Sequence, residues 1–104
     1  PVWSVGAVGA ETERELEVGG AVGAVLIAPF EVDGRFVCRA LRERVIAFDA
    51  RSLGRVPVSI GVASGEVKVK AILGALRAGV VRTLVTDVAT AEAVLAMDAE
   101  TLAP

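Results

Sequence analysis

Histidine and tyrosine are absent from these 104 residues, and cysteine occurs once, as Cys38. Without histidine, the chain has no Ser-His-Asp or Cys-His triad and lacks the most common metal ligand in proteins. The single cysteine excludes an internal disulfide and a multi-cysteine zinc site. The side chains left for chemistry are carboxylates, lysine, arginine and hydroxyls. We therefore expect neither a metal ion nor an organic cofactor.

Long apolar runs and basic clusters are also missing. The longest apolar run, residues 21–30, is interrupted by Gly23 and Pro29 and is shorter than the ~20 residues that span a bilayer. No basic segment precedes an apolar stretch at the start, so no signal peptide is predicted. The net charge of −2, without a basic stripe, argues against nucleic-acid contact by this chain. We expect a cytoplasmic location and no membrane contact.

The composition that remains is that of one globular domain, with 54% hydrophobic and 23% charged residues. Its clearest pattern lies in residues 58–87. Residues 58–64 are apolar and rich in β-branched side chains, which predicts a strand buried on both faces. A second apolar run follows at residues 83–86. With the helix predicted between them, these runs indicate a βαβ unit, and hence a parallel sheet with a right-handed crossover.

The helix of this unit is predicted over residues 66–77. One stripe of its surface carries four apolar side chains: Val69, Ile72, Leu73 and Leu76. Lys68 and Arg77 lie off that stripe. Gly79 stands where a C-terminal helix cap is expected.

The turn Ser64-Gly65, between the first strand and the helix, is the best candidate for a binding site. Ligands of open parallel sheets bind at the carboxyl ends of the strands, where helix N-termini hold anions. Lys68 in the first helical turn is unfavourable for the helix dipole unless an anion binds there. The alternative is an exposed surface lysine, and the spacing alone favours that interpretation.

The N-terminal part of the chain alternates helix and strand patterns. Residues 11–18 predict a short helix that buries Leu16 and ends at Gly19-Gly20. Residues 21–30 predict one strand, which Pro29 restricts to a sheet edge or a strand end. Three side chains of that strand are expected to be buried: Val22, Val25 and Ile27.

Three further elements are predicted around the middle of the chain. Asp33-Gly34 between apolar runs predicts a tight turn into a returning strand over residues 36–38. Residues 39–44 predict a helical turn, and residues 45–49 a short strand. Residues 51–57 predict a helical turn that ends before Pro57.

The chain closes on a helix predicted over residues 88–100, with one apolar face: Ala91, Val94 and Leu95. Either Asp87 or Thr90 can cap its start.

Six segments occur in an order that resembles a known family: GAVG (20–23), FEVDGRFV (30–37), LRERVIAF (41–48), SLGRVP (52–57), ASGEVKVKAILGALRAG (63–79) and LVTDVATA (84–91). This order is similar to that of the sugar-binding domain of SorC-family bacterial transcriptional regulators. The resemblance implies an α/β fold with a Rossmann-like parallel sheet, as in phosphosugar isomerases. It also implies a non-catalytic module that senses a phosphorylated sugar effector within a homo-oligomer. Residues 1–104 would then be the C-terminal half of an incomplete effector domain, without the DNA-binding domain.

The same resemblance assigns candidate effector-binding residues. Lys68 matches the lysine of the family's AGG-x-x-K pattern, Gly65 matches its second glycine, and Ser64 replaces its first glycine. In this interpretation Lys68 contacts an anionic effector.

Three further residues complete the implied site. Arg44 matches the arginine of an LNDR-like segment, Asp87 matches the aspartate after the LVT strand, and Gly6 aligns near a glycine loop in mid-domain. Asp87 is equally suited to cap a helix. Arg44 is equally suited to a surface ion pair with Glu43 or Glu31, worth under ~1 kcal/mol.

The chain also departs from the family pattern. Ala24 stands where the family has an aspartate after GAVG, and Ile27-Ala28-Pro29 stand where Gly-Arg is frequent. An altered or degraded pocket is expected from these changes. Two alternatives to effector sensing therefore stay open: a phosphosugar isomerase-like enzyme fragment, with Lys68 and either Glu66 or Asp87 moving a proton, or a pure assembly module.

Overall fold

The computed structural model describes residues 10–25, 28–38 and 49–102. Its helices and strands are α1 (Ala10–Val18), β1 (Gly23–Val25), β2 (Ala28–Phe30), β3 (Ile60–Val62), α2 (Val69–Arg77), β4 (Thr83–Val85) and α3 (Val88–Leu102), with short 3-10 helices at Ala50–Arg55 and Glu66–Lys68. Gly6 and Arg44 lie outside the described residues. So do the helical turn predicted over residues 39–44 and the strand predicted over residues 45–49, except for Asp49.

The predicted βαβ unit is confirmed. Strands β3 and β4 pair in parallel, with Ile60 opposite Thr83 and Val62 opposite Val85. Helix α2 lies between them in the chain. The fold is therefore α/β with a small parallel sheet.

Helix α2 buries the stripe that the sequence predicts. Val69, Ile72 and Leu73 are buried and form a cluster with Val94 of α3, and Leu76 packs against that cluster. The helix ends as predicted, because Gly79 follows it with a φ of +75°, a left-handed conformation that glycine adopts without strain.

The exposed face of β3 corrects one prediction. Residues 58–64 were expected to be buried on both faces, but the side chains of Ile60, Val62 and Val85 are 61%, 77% and 53% exposed. Successive side chains of a strand point to opposite faces. Leu84 packs against the helical core, whereas these three valine and isoleucine side chains point away from it. Within the described ranges, no helix covers that second face.

Residues 21–30 form a hairpin, so the prediction of a single strand is wrong. Strands β1 and β2 pair antiparallel, with Gly23 opposite Phe30 and Val25 opposite Ala28. The reversal brings the Phe30 ring beside Gly23, where an added Cβ would lie 2.9 Å from the ring. The missing side chain thus makes room for the ring, which becomes almost completely buried.

Pro29 lies within β2 and is fully buried. Proline lacks the N–H that a ladder needs, but its carbonyl still accepts a hydrogen bond, here from the amide of Val37 at 3.0 Å. Val22 and Val25 are only partly buried, and Ile27 lies outside the described residues.

The turn after β2 is confirmed. The Gly34 amide donates to the Glu31 carbonyl at 3.0 Å, and Gly34 has a φ of +91°. The returning segment makes one bridge, between Phe36 and Phe30, so the strand predicted over residues 36–38 is reduced to a single pair. The two rings meet edge to face, with centroids 6.4 Å apart.

The remaining elements match the sequence in type. Leu16 on α1 is fully buried, as predicted, and Gly20 ends that helix with a φ of +76°. The predicted helical turn before Pro57 is the 3-10 helix Ala50–Arg55.

Helix α3 buries the predicted face in part, since Ala91 is half-buried and only Leu95 departs from the prediction. Val94 is buried, but Leu95 is 70% exposed, and Thr90 is buried in its place. Met97 packs against the core cluster with Val94. Thr90, Val94 and Met97 are spaced by four and three residues, which places them on one stripe of the helix. Among the described residues, no helix is long and apolar enough to cross a membrane.

Candidate functional site

The candidate site lies where β3 and β4 end. Because the two strands are parallel, the segments that follow them emerge at the same edge of the sheet. The ladder continues past the strands, since the Ala63 amide donates to the Val85 carbonyl at 3.2 Å. Ser64-Gly65 therefore lies beside Thr86-Asp87.

The Gly65 turn requires glycine. Its φ of +109° and ψ of 150° belong to a region that residues with a side chain avoid. Among the residues that the structure describes, an added Cβ would meet nothing within 4 Å, so the requirement comes from the backbone conformation. The turn leads into the 3-10 helix Glu66–Lys68, where the Lys68 amide donates to the Gly65 carbonyl at 3.0 Å.

Asp87 caps α3. Its Oδ1 accepts the amide hydrogen bond of Thr90 at 2.7 Å, which is the N-cap interaction that the sequence allowed. Hydrogen bonds from the Thr90 amide and then from the Thr90 hydroxyl hold the pKa of Asp87 below its usual range, against a smaller opposing effect of desolvation. Asp87 is therefore held in its charged form.

Thr90 links the two segments. Its side chain is buried, with 4% of its surface exposed, and its Oγ1 accepts the Gly65 amide hydrogen bond at 3.0 Å. The sequence analysis considered Thr90 only as an alternative helix cap. The available signal was the spacing Asp-x-x-Thr at a helix start, which does not show that the hydroxyl contacts a distant turn.

A cavity of about 490 Å³ opens at this edge of the sheet. Ser64 and Lys68 line it, together with Ala24 of β1, and apolar residues of the β1–β2 hairpin, β3, α2 and β4 form most of the remaining walls. Lys68 is the one charged residue among the described residues that line this cavity. One ammonium group and one hydroxyl beside apolar walls can hold an anion.

The structure brings four of the six predicted site residues to the same edge. Ser64 and Lys68 line the cavity, whereas Gly65 and Asp87 lie in the adjoining segments and do not line it. The other two, Gly6 and Arg44, belong to the part of the chain that is not described.

Thr86, at the end of β4, is a further polar residue that the sequence analysis did not identify. Its hydroxyl is buried and has no hydrogen-bond partner among the described residues. In the ranges that the structure covers, no three potential metal-ligating side chains come together.

A second, wider cavity of about 720 Å³ lies between the start of α2 and α3. It is lined by charges of both signs, with Lys70 accompanied by Glu66 and Glu100. Two carboxylates oppose the binding of an anion there. We therefore place the candidate anion site in the smaller cavity, which also lies at the strand ends.

Comparison with known proteins gives a consistent result. The family described as "Putative sugar-binding domain" matches residues 1–96. The transcriptional regulator LsrR of Escherichia coli K12 is 39% identical over 77 residues, which are 73% of this chain and 24% of that regulator. The sorbitol operon regulator of Klebsiella pneumoniae is 31% identical over 87 residues, covering 84% of this chain and 28% of that protein.

Solved structures agree with these relatives. A transcriptional regulator from Streptococcus pneumoniae TIGR4 superposes with a TM-score of 0.86 at 35% identity, over 91% of this chain and 36% of that one. Full-length SorC from Klebsiella pneumoniae superposes with a TM-score of 0.77 at 31% identity, over 84% of this chain and 28% of that one. The chain thus spans about a quarter of the length of the curated relatives it matches. These residues belong to the sugar-binding domain family of SorC-type bacterial transcriptional regulators.

Proposed function

We propose that this chain senses an anionic, phosphorylated sugar for a bacterial transcriptional regulator and catalyses no reaction. The observation that carries the proposal is the cavity at the strand ends, in which Lys68 is the one charged group among the described lining residues. An ammonium group at the start of a helix provides the charge that a phosphate needs. In this proposal Lys68 contacts the phosphate, and Ser64 contacts the ligand beside it.

The other predicted residues have supporting roles in this proposal. Gly65 gives the turn its backbone conformation, and Asp87 holds the start of α3. Arg44 and Gly6 complete the site from the remaining part of the chain. Ala24 lines the cavity at the position where the family resemblance implies an aspartate, so we propose that the ligand range of this chain is altered.

The larger context is proposed from the relatives. Since they are transcriptional regulators, this chain would act in the cytoplasm, as the C-terminal half of a Rossmann-like effector domain. Contact with DNA would fall to another domain of the same protein, and the assembly would be a homo-oligomer. The chain itself carries a net charge of −2, which opposes direct DNA contact.

The non-enzymatic part of the proposal is supported by the state of Asp87. A carboxylate whose pKa is held low is a weak general base. The runner-up, an isomerase-like enzyme, would need it to accept a proton. Turnover of ribose 5-phosphate or glucosamine 6-phosphate that disappears in Lys68→Ala would favour the enzyme and contradict our proposal.

Calorimetric titration with ribose 5-phosphate and glucosamine 6-phosphate tests the sensing role. We expect Lys68→Met to weaken binding by at least about tenfold, because it removes the charge and keeps the length of the side chain. Lys70→Met is the matched control, since Lys70 is exposed on the same segment and lines the other cavity.

Ribose without a phosphate group should not bind measurably to the parent protein or to either variant. Absence of heat with both phosphates at millimolar concentration would contradict the proposal. Equal weakening by the Lys68 and Lys70 substitutions would also contradict it, because the effect would then be general charge and not a site.

A further inference from the structure

The Thr90 hydroxyl sits between two groups from different segments. The Gly65 amide donates to Thr90 Oγ1 at 3.0 Å, and Asp87 Oδ1 accepts a hydrogen bond from the Thr90 amide at 2.7 Å. An amide N–H only donates, and an ionised carboxylate only accepts. The hydrogen bonds therefore run from the Gly65 amide to the Thr90 hydroxyl oxygen and from the Thr90 amide to Asp87.

The Thr90 hydroxyl oxygen is the acceptor for the Gly65 amide. A threonine side chain has one proton to donate and lone pairs that accept. Because Thr90 is 4% exposed, water has little access to replace either partner. Removal of the hydroxyl would leave the Gly65 amide without its acceptor in a partly buried location, which is costly.

The turn that Thr90 holds is the one that presents Lys68. The Lys68 amide donates to the Gly65 carbonyl at 3.0 Å, so Gly65 is fixed at its amide by Thr90 and at its carbonyl by Lys68. Both of these backbone amides are occupied within the protein. The cationic group that this turn offers to an anion is the Lys68 ammonium, and its position depends on the turn.

We propose that Thr90 is a positioning residue for the anion site, and that its hydroxyl fixes the Gly65 turn and ties it to Asp87. This proposal rests on the proposed function, because it assigns Thr90 a role in ligand affinity as well as in local structure. Thr90 itself does not line the cavity. It acts through Gly65 and Lys68.

Two substitutions separate the hydroxyl from the bulk of the side chain. Thr90→Val keeps the shape and removes the acceptor of the Gly65 amide, whereas Thr90→Ser keeps the hydroxyl. Val94→Ala is the matched control on the same helix, because Val94 is buried in the α2–α3 core and takes no part in these hydrogen bonds. It weakens the packing of α3 without removing a polar group.

The experiment measures amide hydrogen exchange and the affinity for ribose 5-phosphate in the four proteins. We expect Thr90→Val to speed exchange at Gly65 by at least about tenfold relative to the core amides of α2, and to weaken ribose 5-phosphate binding by about tenfold. Thr90→Ser should restore both values to within about threefold of the parent. Val94→Ala should lower the melting temperature without a selective change at Gly65.

The outcomes distinguish this inference from the function on which it rests. Unchanged exchange at Gly65 in Thr90→Val overturns the inference. Faster exchange with unchanged affinity also overturns it, because Thr90 would then be merely structural. If the parent protein binds neither ribose 5-phosphate nor glucosamine 6-phosphate, the proposed function fails, and the positioning role fails with it. In that case, the exchange rate at Gly65 in Thr90→Val still tests the hydrogen bond between the Gly65 amide and Thr90.

Discussion

At the scale of single residues, Asp87 and Thr90 give each other defined roles. The Thr90 amide, and after it the Thr90 hydroxyl, hold the pKa of Asp87 below its usual range. A group whose pKa is lower in the folded than in the unfolded protein stabilises the fold above its unfolded pKa. That contribution is lost as the pH falls through the folded pKa.

This gives a prediction for the pH dependence of stability. Relative to the parent, Thr90→Val should raise the pKa of Asp87 and lose stability at neutral pH, and part of that difference should disappear as the pH falls below the unfolded pKa and through the lowered folded pKa of Asp87. Chemical unfolding across this pH range measures the difference, and carbon-detected NMR titration measures the pKa. The pKa should not reach the unfolded value, because the Thr90 amide still donates to Asp87.

Asp87→Asn is the control, since an amide at that position caps the helix without titrating. Its stability should lack the acid-side slope that Asp87 contributes. A slope identical to that of the parent would show that Asp87 is not the group responsible.

The sequence predicted the candidate site better where the signal was local. Lys68 and Ser64 follow directly from a strand, a glycine turn and a helix in succession, and both line the cavity. Thr90 contacts Gly65, which lies 25 positions earlier in the chain. This contact depends on the parallel pairing of β3 with β4, which brings the segments after the two strands together. No local pattern contains it.

At the scale of elements, the β1–β2 hairpin and α2 approach each other closely. A Cβ added to Gly74 would lie 2.6 Å from the Glu31 carbonyl oxygen and 2.8 Å from the Phe30 ring. The Arg77 guanidinium reinforces this contact, because it donates to the Val32 carbonyl at 3.3 Å and to Asp98 of α3 at 2.7 Å. Arg77 of α2 therefore contacts both the segment that follows β2 and helix α3.

We predict that Gly74→Ala destabilises the protein. In an open helix interior, alanine is favoured over glycine by about 1 kcal/mol. Here the added methyl group meets backbone, and overpacking of this kind costs about 1–3 kcal/mol. Chemical unfolding should show a net loss of up to about 2 kcal/mol.

Gly54→Ala is the matched control. A Cβ at Gly54 would approach only the Gly79 carbonyl, at an ordinary 3.7 Å, so its stability should stay within about 0.5 kcal/mol of the parent. If Gly74→Ala is as stable as this control, the hairpin does not approach α2 as closely as described.

The hairpin is also the element that the sequence analysis predicted wrongly, as a single strand. Its two strands are joined through Leu26-Ile27, apolar residues that give no turn signal. Within the hairpin, Phe30 lies opposite Gly23, whose missing side chain leaves room for the ring. The Asp33-Gly34 turn, by contrast, carries its own signal and was predicted correctly.

At the scale of the whole molecule, the parallel sheet is covered on one side within the described residues. Ile60, Val62 and Val85 are largely exposed on the other side, and none of them is charged. Parallel sheets are normally covered on both faces. The apolar run at residues 58–64 therefore predicted a strand correctly. The described residues do not cover the second face of that strand.

We predict that the isolated chain associates with itself through this face. Sedimentation velocity over a concentration series should show association in the parent protein and its reduction in Ile60→Lys, because a charge would be buried in the contact. Ala99→Lys, which adds the same charge to the exposed side of α3, should associate like the parent. A parent protein that stays monomeric at all concentrations would contradict the prediction.

The parallel pairing of β3 with β4 also has a consequence for how the chain folds. Antiparallel neighbours can zip up from a short turn, but Ile60 meets Thr83 only after all of α2 has folded back across the sheet. The entropy of closing that loop is lost before any ladder bond forms. The rate at which this sheet assembles is therefore governed by the docking of a helix and not by the strands themselves.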